Sequence, residues 1–398
     1  MRYRVPGIHI WLDEPHDTLV RRIAEKLRVG PESLKDVSVA RRSLDARRKG
    51  HPRWVVDAEV EIDGQLPSVP AGVDAVPEAG PPPSPVRAPD LPPVILGAGP
   101  AGLFCAWGLL ERGVRSIVVD RGKPVAPRRR DVARLMRSGE LDSESNMNFG
   151  EGGAGAYTDG KLSTRIRHPA VRKVVELFAR FGDTERILSQ GKPHVGSDVL
   201  PAAVSAMRQE LERGGCQFLW NARATDLEVV EGRIRGLVLA DGRTLPCDRL
   251  VLAPGNSARE IYELFARRGW PIEAKPFAVG FRGEHPQALI DRIQYGRSAG
   301  TEGLPSADYR LAENPSVGGR ARGVFSFCMC PGGVVVPTPS EPEMQVTNGM
   351  SYSGRSSPLA NAGLVVAVSP EEFAAEGFTG PLAGLEWQLK WERAAYDL

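Results

Sequence analysis

From Tyr3 to Leu12 apolar and polar side chains alternate, the period of a strand with one buried face. Over Asp17–Arg28 the spacing lengthens, and Leu19, Ile23 and Leu27 fall on one side of a helix. Alternation returns at Val37–Arg42 and Trp54–Ile62, so residues 1–66 read as a β-α-β-β module, half of a ferredoxin-like fold. Ten prolines follow between Pro67 and Pro93. Proline fixes φ and has no N–H, so residues 67–92 are expected to form an extended, semi-rigid linker without sheet or helix. Val94–Leu96 then reads as a buried strand, Leu103–Glu111 as an apolar helix closed by Gly113, and Ser116–Val119 as a second strand. This is β-α-β, the unit of an open parallel sheet. Further on, Gln217–Trp220 predicts a strand, Ala224–Val230 with Arg235–Ala240 a hairpin, and Arg249–Ala253 a buried strand ending in Pro254-Gly255. Leu382–Leu398 has the look of a helix, with Trp387, Trp391 and Tyr396 set among charges.

Length and composition narrow the class. A chain of 398 residues with 41% apolar side chains has room for two or three domains. No stretch approaches the roughly 20 apolar residues of a membrane span. Met1–Asp13 lacks an apolar signal core, so a cytoplasmic location is expected. Fifty-one basic against forty-nine acidic side chains argue against a wholesale nucleic-acid or membrane-surface binder. The imbalance is local, with thirteen Lys and Arg against seven Asp and Glu in residues 1–53. That basic module keeps open a second reading, a non-catalytic or RNA-associated protein docking through its N-terminus. The five cysteines, Cys105, Cys216, Cys247, Cys328 and Cys330, are too scattered for a disulfide scaffold. Cys328-Met329-Cys330 has no further Cys or His at ligand spacing, so it reads as structural and no metal is expected.

The chemistry is legible at Gly97-Ala98-Gly99-Pro100-Ala101-Gly102. This G-x-G-x-x-G follows a strand, opens a helix, and has Asp120 at the end of the next strand, the context a dinucleotide site requires. Gly97 allows the tight turn, Gly99 lets main chain approach a pyrophosphate, and Gly102 lets helix and strand touch. Free N–H groups at the helix start stabilise phosphate charge, and Asp120, followed by Arg121, is placed to accept ribose hydroxyls. The fingerprint serves NAD and FAD alike. The hairpin block from Gly214 to Gly255, typical of two-part flavin domains, favours FAD; an NAD(P) dehydrogenase is the weaker third reading.

A glycine-rich run, Asn148-Phe149-Gly150-Glu151-Gly152-Gly153-Ala154-Gly155-Ala156-Tyr157-Thr158-Asp159-Gly160-Lys161-Leu162, is expected to curl its backbone around a ligand rather than to pack. It resembles the hallmark of a bacterial family of FAD-dependent dehydrogenase-like flavoproteins. The resemblance continues through Lys192-Pro193-His194, Lys275-Pro276-Phe277-Ala278-Val279-Gly280, Ser326-Phe327-Cys328-Met329-Cys330-Pro331-Gly332-Gly333 and Thr347-Asn348-Gly349-Met350-Ser351-Tyr352. It implies an α/β architecture: the small N-terminal module, a Rossmann-like, glutathione-reductase-like FAD domain over 93–260, and an inserted β-rich α+β substrate or cover domain over 261–398. It also implies a closing segment beyond Leu398, so that the chain reads as C-terminally truncated. The cofactor contacts so implied are Gly97, Gly99, Pro100, Ala101, Gly102, Asp120, Arg121, Arg128, Gly152, Gly153, Ala154, Gly155, Asp159, Gly160, Lys161, Leu162, Ala224, Pro254 and Gly255. Arg128 is matched to a phosphate-binding arginine, and Ala224 to a main-chain contact with adenine. His194 and Lys161 are the candidate catalytic groups, a proton donor and a cation beside the reduced flavin. The expected activity is hydride transfer between flavin N5 and an unknown small-molecule substrate or electron donor.

Overall fold

The computed structural model describes residues 1–66, 68–77, 80, 83–166 and 168–398, with the side chains of all but His16 and Arg320. The chain is a mixed α/β protein, and its described residues fall into two compact units. One comprises Met1–Pro82, Lys161–Val195 and Pro286–Tyr309; the other comprises Pro83–Gly160, Gly196–His285 and Arg310–Leu398. This division departs from the linear one at residues 66, 92 and 260, because two later segments return to the N-terminal module.

In the first unit the alternating stretches become strands β1 (Arg2–Trp11), β2 (Leu34–Asp45) and β3 (Arg53–Ile62), with helix α1 (His16–Leu27) after the first. The sheet is antiparallel in the order β2-β3-β1-β4. Val5, Ile8, Ile10, Val56, Ala58 and Val60 meet Leu19, Ile23 and Leu27 of α1 in one core. Gly7, at φ +69, absorbs the register shift between Val5 and Ile8. Strand β4 (Asp74–Ala75) corrects the linker reading, since it pairs with Arg4 and Tyr3 inside the proline-rich segment. Pro70 and Pro77 flank this strand without removing the N–H of Val76, which donates to Arg2 O at 2.9 Å, while Val73 joins the core. Residues 67, 78, 79, 81 and 82 of that expected linker lie outside the described residues.

The second unit is built on β5 (Val94–Leu96), α2 (Pro100–Leu110) and β6 (Ile117–Val119), followed by α3 (Val125–Ser138). Strands β5 and β6 are parallel and lie between Leu250–Leu252 and Gln217–Leu219, also parallel to them. Val94 and Ile95 are inaccessible, as expected of a strand covered on both faces. Ala224–Val230, Arg233–Leu239 and Thr244–Pro246 form an antiparallel sheet, and Leu227, Leu237 and Leu239 share a core with Val94, Leu96 and Val119. Phe277–Pro286, Leu359–Val368, Val324–Cys330 and Ala312–Glu313 make a further sheet, packed through Phe277, Val279 and Val366 against Phe373 and Trp387. The C-terminal helix runs over Ala383–Asp397.

Candidate functional site

The parallel sheet leaves a cavity of about 500 Å³ at the C-terminal ends of its strands, within the range of small-molecule and cofactor sites and at the edge where open α/β sheets bind ligands. Its floor is the turn from Leu96 to Ala101, with Val119, Asp120 and Arg121 beside it. Asn148, Phe149 and Gly153 to Gly155 form one wall; Arg223, Ala224 and residues 252–258 form another, with Glu260, Ile261 and Tyr262 at the rim.

The three fingerprint glycines have different physical causes. Gly97 sits at φ +110, and a Cβ there would lie 2.1 Å from Ala253 O. At Gly102 a Cβ would lie 1.8 Å from Gly97 O. Both are fixed by the fold. Gly99 is not, for its backbone is extended (φ −72, ψ −178) and the nearest protein atom to an added Cβ is Gly153 Cα at 3.8 Å. Nothing in the protein forbids a side chain at Gly99, yet one would project from the cavity floor. Helix α2 begins there without a side-chain cap and with Pro100 in its first turn. Its leading N–H groups therefore meet the cavity as an anion site.

Asp120 is largely buried and already busy. One carboxylate oxygen accepts the N–H of Ala98 at 2.8 Å, and the other accepts those of Gly122 at 2.8 Å and Gly150 at 3.0 Å. A carboxylate has about four acceptor positions, so Asp120 organises three turns and keeps capacity toward the cavity it lines. Arg121 donates to both carboxylate oxygens of Glu144 and to Glu260, each at 2.9 Å, and its guanidinium lies 4.2 Å from the Phe149 ring centroid. Burial works against the Arg121 charge, but the two carboxylates prevail and hold its pKa above the ordinary arginine value.

Arg128 requires a correction. It is fully buried and does not line the cavity. Its guanidinium donates to the carbonyls of Asn146 (2.9 Å), Met147 (3.1 Å), Glu151 and Gly153 (2.8 Å), and lies over the Tyr157 ring. Burial pulls its pKa down from the ordinary value, against the opposing fields of Tyr157, Asp120 and Glu151. Arg128 is thus a brace behind the wall, four of its five N–H donors spent on loop carbonyls and none of its surface lining the cavity. Glu151 braces the same loop, accepting the Val125 N–H and pairing with Arg208 at 2.8 Å.

The glycine-rich run divides in the same way. Gly153, Ala154 and Gly155 line the cavity. Gly152 and Gly160 do not, and packing explains them: both have positive φ, and a Cβ would press on Val204 at 3.0 Å and Leu200 at 2.8 Å respectively. Asp159 also stands away from the cavity lining, buried and bonded to Ser351 Oγ and to Arg355 at 2.8 Å. Lys161, Leu162 and His194 belong to the first unit, where Lys161 and His194 pair as an isolated bridge; none lines the cavity. Of the expected contacts, the cavity gathers Gly97, Gly99, Pro100, Ala101, Asp120, Arg121, Gly153, Ala154, Gly155, Ala224, Pro254 and Gly255. Asn148 and Phe149, which open the glycine-rich run, also line the cavity, whereas sequence reasoning missed Arg223, Asn256, Ser257, Glu260 and Tyr262. Only Asn256 and Ser257, directly after Pro254-Gly255, carried a local signal.

Comparison with known proteins adds the family. The sequence model described as "FAD-dependent protein, C-terminal domain-like" matches residues 276–398, and a domain of unknown function matches residues 7–61. An uncharacterized protein of Clostridium beijerinckii is 37% identical over 417 residues, spanning all of this chain and 75% of that one. The chain belongs to this family of FAD-dependent proteins, and FAD is its cofactor. Among solved structures, L-amino acid deaminase from Proteus vulgaris superposes at a TM-score of 0.25, with 14% identity over 50% of this chain and 56% of that one. Glycine oxidase from Bacillus cereus gives 0.32, with 11% identity over 71% and 77%. This chain thus spans little more than half the length of the deaminase. Likenesses this distant do not bear on its chemistry.

Proposed function

We propose that the chain is an FAD-dependent oxidoreductase whose cavity holds the adenosine diphosphate half of the cofactor. Gly99 carries the reading, because a position that the fold leaves free and that still lacks a side chain is accounted for by a ligand seated against its main chain. In this reading residues 93–160 and 196–260 act as a Rossmann-like nucleotide domain, with the diphosphate over the start of α2. Asp120 turns its remaining acceptor capacity to the ribose, and Ala224 with residues 254–257 borders the adenine. Arg128 and Glu151 hold the wall that keeps water from the diphosphate. Bound FAD supplies two-electron hydride chemistry at flavin N5, exchanged with a small-molecule substrate or electron donor. The β-rich segments between Phe277 and Gly363, apart from residues 286–309, serve as substrate cover.

The alternative of docking through the basic module draws less support. Arg2 pairs with Asp36, Arg4 with Glu59, Arg22 with Glu14, Lys35 with Asp63, and Arg47 and Arg53 with Asp45, so much of that positive charge is already answered. The test is a titration of flavin-free protein with FAD, followed by flavin fluorescence and competed with ADP. Saturable one-to-one uptake displaced by ADP supports the assignment. Failure of the folded chain to take up FAD refutes it.

A further inference from the structure

The pair Asp120-Arg121 is ambiguous as sequence. An acidic residue at the end of the second strand favours an unmodified adenosine ribose, whereas an arginine beside it is the residue that accommodates a 2′-phosphate. The surroundings of Arg121 remove the ambiguity. Its Nε and Nη2 are taken by the two carboxylate oxygens of Glu144, its Nη1 by Glu260, and its face by the Phe149 ring. The other cation at the cavity, Arg223, has its Nε 3.8 Å from the same Glu144. Asp120, Arg121, Arg223 and Glu260 line the cavity, and Glu144 stands behind Arg121. Three carboxylates therefore face two guanidinium groups, and the fork an incoming phosphate would need is already occupied.

We infer that Glu144 and Glu260 are specificity-determining residues: by occupying Arg121 they restrict the cavity to dinucleotides whose adenosine ribose carries a free 2′-hydroxyl, and they reject 2′-phosphorylated ones. A 2′-phosphate brought here meets uncompensated negative charge, and it must break a bidentate ion pair to reach a donor. A 2′-phosphorylated nicotinamide donor thus has no place in this cavity, even when the flavin has left it. The inference rests on the reading that the cavity receives an adenosine diphosphate end.

The test uses the flavin-free full chain and two probes, ADP and 2′,5′-ADP, titrated by calorimetry at constant ionic strength. The expected result for the unaltered chain is binding of ADP at least about tenfold tighter than 2′,5′-ADP, since like-charge juxtaposition costs at least that much. In a Glu144→Gln, Glu260→Gln double variant, that preference collapses to about threefold or less, or reverses, as the Arg121 fork becomes available. Equal affinities in the unaltered chain overturn the inference while leaving the cavity an ADP site. Absence of ADP binding overturns the underlying reading instead, and the inference with it. A double variant that folds, judged by its thermal melt, and keeps the full preference also overturns the role of the two glutamates. If it does not fold, the comparison in the unaltered chain decides alone.

Discussion

Replacing Gly99 by alanine separates what the fold needs from what a ligand needs. The backbone at Gly99 is extended, and an added methyl would stand 3.8 Å from Gly153 Cα, an ordinary contact. No strain opposes the change. The reduced freedom of the unfolded chain should leave flavin-free protein unchanged or stabilised by about 0.4–1 kcal/mol. The same methyl occupies the approach to the diphosphate, and losing one hydrogen bond to a charged group there costs about 1.5–3 kcal/mol. FAD affinity should fall by about ten- to 150-fold. Gly97→Ala is the control, because its methyl would enter at φ +110 and 2.1 Å from Ala253 O, so the fold itself must yield. Thermal melts by circular dichroism and FAD titration by fluorescence read the two effects. The expected pattern is an unchanged or slightly raised melting temperature with weak FAD binding for Gly99→Ala, and loss of both for Gly97→Ala. A Gly99→Ala protein that binds FAD as tightly as its parent would refute the reasoning.

Arg128→Ala leaves four carbonyls of the 146–153 loop without their donor; at about 1–3 kcal/mol for each buried orphan, the melting temperature drops sharply and FAD binding goes with it, and Arg128→Lys, lacking the planar fork, restores only part. Asp120→Asn sets an amide N–H₂ against the donors that the carboxylate now accepts, lowering stability by about 1–3 kcal/mol as read in a urea titration. Asp131 is one contributor to acid sensitivity. Burial would raise its pKa, but Lys123, Ser145 and Arg134 outweigh that and hold it below the usual carboxylate range. Its contribution is therefore full above the unfolded value near 3.9 and is lost as pH falls through the lower folded value. Asp131→Asn should flatten the decline of melting temperature on the acid side, and an unaltered slope would contradict the assignment.

What the sequence disclosed was local. The strand, glycine turn, helix and strand from Val94 to Asp120 were readable because each residue's role is set by neighbours within about one βαβ unit. The hairpin at Ala224–Val230 was readable from its alternation. The ion-pair partners of Arg121 and the place of Arg128 were not. The partners of Arg121 include Glu260, 139 positions away, and Arg128 is satisfied by carbonyl oxygens, which carry no signature in side-chain identity. The glycines of the 148–162 run misled for a related reason. Gly152 and Gly160 answer to Val204 and Leu200 on a distant helix, contacts that look in sequence like any flexible loop. The proline-rich stretch hid β4, because composition counts prolines while pairing depends on which individual N–H groups survive.

The interleaved course of the chain bears on how it is born. The first unit opens at Met1 but closes only at Tyr309, whereas the last residue lining the cavity of the second unit is Tyr262. At roughly 5–20 residues per second, a ribosome spends about ten seconds to most of a minute between delivering the proline-rich stretch and delivering the final, helical segment of that unit. The lining of the cavity is thus fully translated while the first unit still awaits its last segment. In the proposed reading, flavin supplied during synthesis meets a cavity whose lining is complete before the unit that opens the chain.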